Sequence, residues 1–161
     1  MRILLAIDGS VFSDRAVEEV ARRPWPSGSE VRIISVVEPP MTPMTEPFVL
    51  PTLYWEEAEK AAQEQAREAL NRALETIRAS QGESLQASSE ILGGYPKQVI
   101  LDDADRWEAD LIVLGSHGRR GLTRLLLGSV SQAVSSHANC SVEIVKSREA
   151  EPAEVTPERS E

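Results

Sequence analysis

The 161-residue sequence has few of the residues that form cross-links and metal sites. It contains one cysteine, Cys140, and two histidines, His117 and His137. A single cysteine excludes an intramolecular disulfide, and the cysteine and histidine spacing matches no closed metal site. We therefore interpret Cys140 as a small buried hydrophobic residue and predict no metal centre.

The sequence also lacks long apolar runs and an excess of positive charge. Its 17 basic and 26 acidic residues give a net charge of -9, which argues against non-specific binding to nucleic acid or anionic lipid. The apolar run at the start is too short for a signal peptide, and no later run approaches the length of a membrane span. We expect a cytoplasmic protein with no nucleic-acid partner and no membrane partner.

Five short apolar runs rich in branched residues indicate β-strands. Ile3–Ile7, Val31–Val37 and Leu111–Leu114 are nearly continuous, which is typical of central strands in a parallel sheet. Leu85–Leu92 and Val142–Val145 are more polar or alternate, and we place them nearer the sheet edges.

Helical patterns separate these strands. The first residues that mark the four helical patterns are Ser13, Trp55, Pro96 and Ser129. The two serines are interpreted as capping residues and the proline as a first-turn residue, and we expect the first helix to end before Pro24 and the last at about His137. The alternation predicts one open α/β domain over residues 1–146, with a single, mostly parallel five-stranded sheet and helices on both faces.

Two segments fall outside this alternation. Residues 38–53 contain five prolines and form a connection longer than is usual in α/β units, so they are either a lid or a stiff surface spacer. Residues 147–161 are acidic and nearly devoid of apolar side chains. They are predicted to form a mobile tail.

Glycines and hydroxyl residues follow the strands that should meet at one rim of the sheet. In such folds, ligands bind beyond the carboxyl ends of the strands, where helix N-termini present amides. The first strand leads into Asp8 and Ser10, the second ends near Val36, and the stretch after the fourth has the spacing G-x2-G-x9-G-S from Gly115 to Ser129. Spacing alone leaves two interpretations open, a phosphate cradle or a steric turn.

Other local features bear on that choice. Arg119, Arg120 and Arg124 add positive charge to the glycine-rich stretch, which would favour an anionic ligand. Neither the dinucleotide fingerprint nor the phosphate-binding loop with its lysine occurs in the sequence. Any phosphate would therefore be held chiefly by main-chain amides.

Three stretches resemble the universal stress protein family, in its ATP-binding branch. They are "ILLAIDGS", "SVVE" and "GSHGRRGLTRLLLGSVSQAVSSHANCSVEIVK". The resemblance covers about residues 1–146 and implies an adenine nucleotide alpha hydrolase-like fold with strand order 3-2-1-4-5. It also implies that ATP, with or without Mg²⁺ held mainly by phosphates and water, binds at the switch point between the first and fourth strands.

The resemblance also assigns roles to individual residues. Asp8, in the same turn as Ser10, would accept a hydrogen bond from the nucleoside, the main chain of Val36 would contact adenine, and Gly115 would lie against the ribose. The remaining residues, expected at the phosphates, are His117, Gly118, Gly128, Ser129, Val130 and Ser131. Asp8 has a structural alternative, because aspartate at such a turn often caps the next helix.

The family resemblance further implies a homodimer that forms through the last strand. Its interface residues would be Val142, Ile144 and Val145. The sequence departs from the family pattern at Ser141, where proline is common, and at Glu143, where an apolar residue is usual.

Evidence for catalysis is weak. Asp102, Asp103 and Asp105 are expected to face solvent on the third helix, and His137 lies where a cation is favoured for structural reasons. We predict no catalytic residue, and a nucleotide-linked regulatory dimer in stress response is the leading hypothesis. The alternatives are a slow ATPase or autophosphorylating enzyme, and a nucleotide-independent dimeric scaffold.

Overall fold

The computed structural model describes residues 1–39, 52–118 and 127–146, without the side chains of 52–55. The strands are β1 (Arg2–Ile7), β2 (Glu30–Val37), β3 (Gln86–Gly93), β4 (Leu111–Gly115) and β5 (Ser141–Val145). The helices are α1 (Val11–Arg22), α2 (Thr52–Gln81), α3 (Pro96–Arg106) and α4 (Ser129–His137). A short 3-10 turn, Gly82–Ser84, follows α2. The predicted proline-rich segment and tail lie almost entirely outside the described residues.

The five strands form one parallel sheet in the order β3-β2-β1-β4-β5, as the sequence resemblance implied. β1 is the central strand, and Leu5 lies opposite Ile33 of β2 and Val113 of β4. The two more polar strands, β3 and β5, are at the edges as predicted. The chain order reverses between β1 and β4, so a crevice for ligands is expected at their carboxyl ends.

Alternating residues of the central strands supply two separate cores. Ile3 and Leu5 of β1 belong to the core beneath α1 and α2, whereas Leu4 belongs to the core that includes Ile100 of α3 and Val134 of α4. All five side chains are almost completely buried. A strand that is buried on both faces reads as a continuous apolar run, which explains why these strands could be recognised in the sequence.

The predicted cap of α1 is wrong. The helix begins at Val11, and its N-cap is Ser10, whose Oγ accepts a hydrogen bond from the Ser13 amide at 3.3 Å. Ser13 lies inside the first turn, and its own hydroxyl donates to the Ser10 carbonyl at 2.9 Å. The helix ends at Arg22, before Pro24, as expected.

The predicted cap of α4 is also wrong, by one residue. Gly128 is the N-cap, and Ser129 is the first residue of the helix. The Gly128 amide donates to the Ser116 carbonyl at 2.8 Å, which fixes the backbone immediately before the helix. The helix ends at His137, in agreement with the prediction.

One of the three aspartates of α3 contradicts the expectation that all three face solvent. Asp103 is only 1% exposed, because it accepts hydrogen bonds from Arg32 of β2, from Nε at 2.8 Å and from Nη2 at 3.3 Å. Arg106 adds a third hydrogen bond at 3.3 Å, and Asp102 and Asp105 are exposed as predicted. Asp103 therefore connects α3 to the sheet.

Candidate functional site

Strand order brings most of the predicted site residues to one rim of the sheet. Asp8 follows β1, Val36 lies near the end of β2, and Gly115 ends β4. Neighbouring strands are about 4.8 Å apart, so the ends of β2 and β4 are separated by roughly 10 Å across β1. The N-terminus of α4 follows β4 along the chain and returns to the same rim.

Asp8 organises the turn between β1 and α1. It is half-buried, and its Oδ1 accepts a hydrogen bond from the Ser10 amide at 3.0 Å. Gly9 between them has a φ of +75°, a conformation that glycine adopts without strain. The structural alternative is thus partly correct, since Asp8 supports the turn that starts α1 while Ser10 provides the cap.

Gly118 lies directly against the Asp8 carboxylate. A Cβ placed on Gly118 would be 2.8 Å from Oδ2 of Asp8, which is closer than real side chains approach. One Asp8 oxygen therefore supports the β1–α1 turn and the other faces the backbone that follows β4. This contact connects the two strands at which the chain order reverses.

Gly115 has a different steric role. Its Cβ would lie 2.7 Å from the carbonyl carbon and oxygen of Phe12. Because these are main-chain atoms of α1, any side chain at this position would push the helix away from β4. The need for glycine at this position is thus explained by packing within the chain, and spacing alone could not have revealed Phe12 as its neighbour.

Gly128 and Ser131 hold the start of α4 against the end of β4. A Cβ on Gly128 would meet the Ser116 carbonyl oxygen and His117 Cα, both at 3.2 Å. The buried Ser131 hydroxyl donates to the Gly115 carbonyl at 2.8 Å and to the Ser116 carbonyl at 3.3 Å. The Ser131 side chain is therefore occupied within the protein, so its main-chain amide is the group suited to an anionic ligand.

The first amides of α4 are suited to bind an anion. The Gln132 amide donates to the Gly128 carbonyl at 2.9 Å, which closes the first turn of the helix. The amides of Ser129, Val130 and Ser131 precede it, at the end of the helix where the dipole is positive. Ser129 is exposed and Val130 is half-buried.

His117 is half-buried at the same rim. Its ring lies 5.1 Å from the Phe12 ring, and its Nδ1 is 3.2 Å from the Ser116 hydroxyl. The structure thus brings together Asp8, Ser10, His117 and the three glycines. Arg119, Arg120 and Arg124 lie outside the described residues.

A cavity of about 320 Å³ opens one strand further along the rim. It lies between the ends of β2 and β3 and helix α2, and its lining includes Val37, Glu38, Glu59 and Leu92. None of the predicted site residues lines it. This cavity was not predicted, because its lining comes from three elements that are far apart in the sequence.

The described part of the chain offers neither a membrane helix nor a metal cluster. No helix in it is long and apolar enough to cross a membrane. Within 1–39, 52–118 and 127–146, no group of three or more histidine, cysteine or carboxylate side chains is arranged to hold a metal ion.

Comparison with known proteins gives concordant matches over most of the chain. The model of the Universal stress protein family matches residues 1–146. The chain is 33% identical over 147 residues to Universal stress protein MJ0531 of Methanocaldococcus jannaschii, covering 90% of this chain and 81% of that protein. The matched residues 1–146 include all the strands and helices described above.

Solved structures show the same fold. Universal stress protein UspA from Lactobacillus plantarum superposes with a TM-score of 0.71 at 26% identity, covering 90% of this chain and 97% of that one. A universal stress protein family protein from Arabidopsis thaliana, solved with AMP bound, superposes with a TM-score of 0.64 at 19% identity and covers 92% of each chain.

Proposed function

The chain belongs to the universal stress protein family, and from that premise we propose that it is an ATP-binding regulatory protein. The nucleotide would lie across the rim, with adenine near the main chain of Val36 and the nucleoside beside Asp8. The phosphates would lie near Gly118 and the N-terminus of α4. The observation that carries the proposal is the convergence of these groups where the chain order reverses between β1 and β4.

The chemistry of the rim fits an adenine nucleotide. A carboxylate next to a glycine backbone can accept hydrogen bonds from sugar hydroxyls, and amides at the start of a helix favour phosphate oxygens. Both elements occur here, at Asp8 with Gly118 and at Ser129–Ser131. The structure bound to AMP belongs to a protein of the same fold, which supports the choice of an adenine nucleotide.

The other predicted residues would contribute to the same site. Ser10 and Gly115 would shape the floor of the site, since Ser10 caps α1 and Gly115 lets α1 approach β4. His117 and Gly128 would lie near the phosphates, beside the start of α4. Mg²⁺ would be held mainly by phosphates and water, because Mg²⁺ retains several waters when it binds phosphates.

We propose in addition that the protein forms a homodimer through β5. This strand is at one edge of the sheet, and among the described strands only β4 pairs with it. Three apolar residues of this strand are half-buried, namely Val142, Ile144 and Val145. Pairing of β5 with a second copy would complete their burial.

Calorimetric titration with ATP and Mg²⁺ tests nucleotide binding. The wild-type protein should bind, and Gly118→Ala should weaken binding about tenfold or more, equivalent to about 1.4 kcal/mol, because the new methyl group displaces the Asp8 carboxylate. The matched control is Gly93→Ala, whose Cβ would meet no atom within 4 Å. It should bind as the wild type does.

Two results would contradict the proposal. One is the absence of binding by the wild type at millimolar ATP. The other is equal affinity of the Gly118→Ala and Gly93→Ala variants, which would mean that the contact between Gly118 and Asp8 only shapes a turn.

A further inference from the structure

Glu143 occupies the midpoint of the edge strand β5, and its charge is neutralised within its own subunit. Both of its carboxylate oxygens accept hydrogen bonds from Arg23, which follows α1, at 2.7 Å from Nη1 and 2.7 Å from Nη2. Such bidentate pairs are among the stronger hydrogen bonds in proteins. The two side chains are 35% and 28% exposed, so solvent screens this pair only in part.

Further contacts hold Arg23 in this orientation. Its Nη2 also donates to Glu19 at 3.0 Å, and its guanidinium lies 5.3 Å from the centre of the Trp25 ring. The hydrogen bonds that Arg23 donates to Glu143 are the main reason that the pKa of Arg23 is raised. Arg22 pairs with Glu19 as well, so two arginines and two glutamates balance one another beside β5.

The position of Glu143 matters if β5 pairs with a second copy of the chain. A twofold axis through the middle of Ser141–Val145 would place Val142 opposite the partner subunit's Ile144, an apolar pair on the α3–α4 side of the sheet. The same axis would place Glu143 opposite the partner subunit's Glu143. Residues directly opposite in an antiparallel pair have Cβ atoms about 5 Å apart, and like charges there are destabilising.

We propose that Arg23 is a specificity-determining residue of the homodimer, because it neutralises Glu143 and thereby allows β5 to pair with β5 of a second copy. This inference rests on the homodimer proposed above. It accounts for a glutamate at a position where the family resemblance implies an apolar residue. The charge is retained at the edge, but it is compensated by an arginine that belongs to the same subunit.

The proposal predicts how four variants dimerise. Arg23→Gln should raise the dimer dissociation constant at least tenfold, because two uncompensated carboxylates would face each other. Glu143→Gln should dimerise at least as well as the wild type, and Arg23→Gln with Glu143→Gln should return to within about threefold of it. Arg15→Gln is the control, because Arg15 is an exposed α1 arginine paired with Glu18.

Sedimentation velocity over a concentration series measures these constants, and thermal unfolding of the same samples establishes that each variant is folded. Added salt should strengthen the Arg23→Gln dimer by screening the carboxylates, an effect that a packing defect would not produce. Equal dimerisation of wild type and Arg23→Gln, or failure of the double variant to recover, would overturn the role of Arg23. A wild type that stays monomeric would overturn the dimer and the role of Arg23 together. A parallel ATP titration would report on nucleotide binding separately.

Discussion

The ion pair between Arg32 and Asp103 should stabilise the fold in an asymmetric way. Asp103 is 1% exposed, whereas the Arg32 side chain is 22% exposed and also contacts Glu90 at 2.5 Å. Removing the arginine leaves a buried carboxylate with Arg106 as its remaining cation in the described structure. Removing the carboxylate charge leaves a guanidinium that reaches solvent and keeps a second partner. The first change should therefore cost more free energy than the second.

The expected magnitudes follow from this difference. Breaking a buried ion pair typically costs about 3–5 kcal/mol, and because Arg106 remains, Arg32→Met should lower the free energy of unfolding by about 3 kcal/mol. Asp103→Asn keeps the shape and one acceptor, so its cost should be about 1 kcal/mol. In a chain of this size, about 2–4 °C of melting temperature corresponds to each kcal/mol.

Urea unfolding followed by circular dichroism measures both changes. Arg15→Met is the control, because Arg15 and Glu18 form an exposed pair that should contribute no more than about 0.5 kcal/mol. The double variant, Arg32→Met with Asp103→Asn, should be less destabilised than the sum of the single variants. Equal costs for the two single variants, or strict additivity, would refute the reasoning.

Two further predictions concern packing and reactivity. Gly115→Ala should destabilise the protein by about 1–3 kcal/mol, because its Cβ would lie 2.7 Å from the Phe12 backbone; a melting temperature equal to that of Gly93→Ala would contradict this. Burial, followed by the negative charges of nearby aspartates, raises the pKa of Cys140. The native thiol should therefore react more slowly with iodoacetamide at pH 8 than the thiol of the urea-unfolded chain, and stability should fall as pH rises above the ordinary thiol range. Equal rates in the two states would show that the thiol is not shielded.

Sequence patterns predicted the strands, the start of α3 and the C-terminal ends of α1 and α4, because those features depend on neighbouring residues. The continuous apolar runs of β1, β2 and β4 reflect burial on both faces, and Pro24 and Pro96 mark helix boundaries by their own geometry. The order of the strands came from the family resemblance, since alternation alone is compatible with several orders.

Features that depend on distant residues could not be predicted in this way. Asp103 was expected to face solvent because its partner, Arg32, is 71 positions away in the sequence and sits in a strand that otherwise reads as apolar. The neighbour of Gly115, Phe12, is more than 100 residues away. The start of α4 was misplaced because the Gly128 amide bonds to the Ser116 carbonyl, a contact that the fold creates. The cap of α1 was misplaced for a local reason, because two nearby serines, Ser10 and Ser13, could each serve as the cap.

The closeness of His117 and Gly128 has a consequence for engineering. The Cβ position of Gly128 lies 3.2 Å from His117 Cα, and the Gly128 amide is bonded to the Ser116 carbonyl, so the intervening chain leaves and returns at almost the same point. A side chain at Gly128 should therefore move the start of α4 away from the end of β4, because it would press on the main chain of Ser116 and His117.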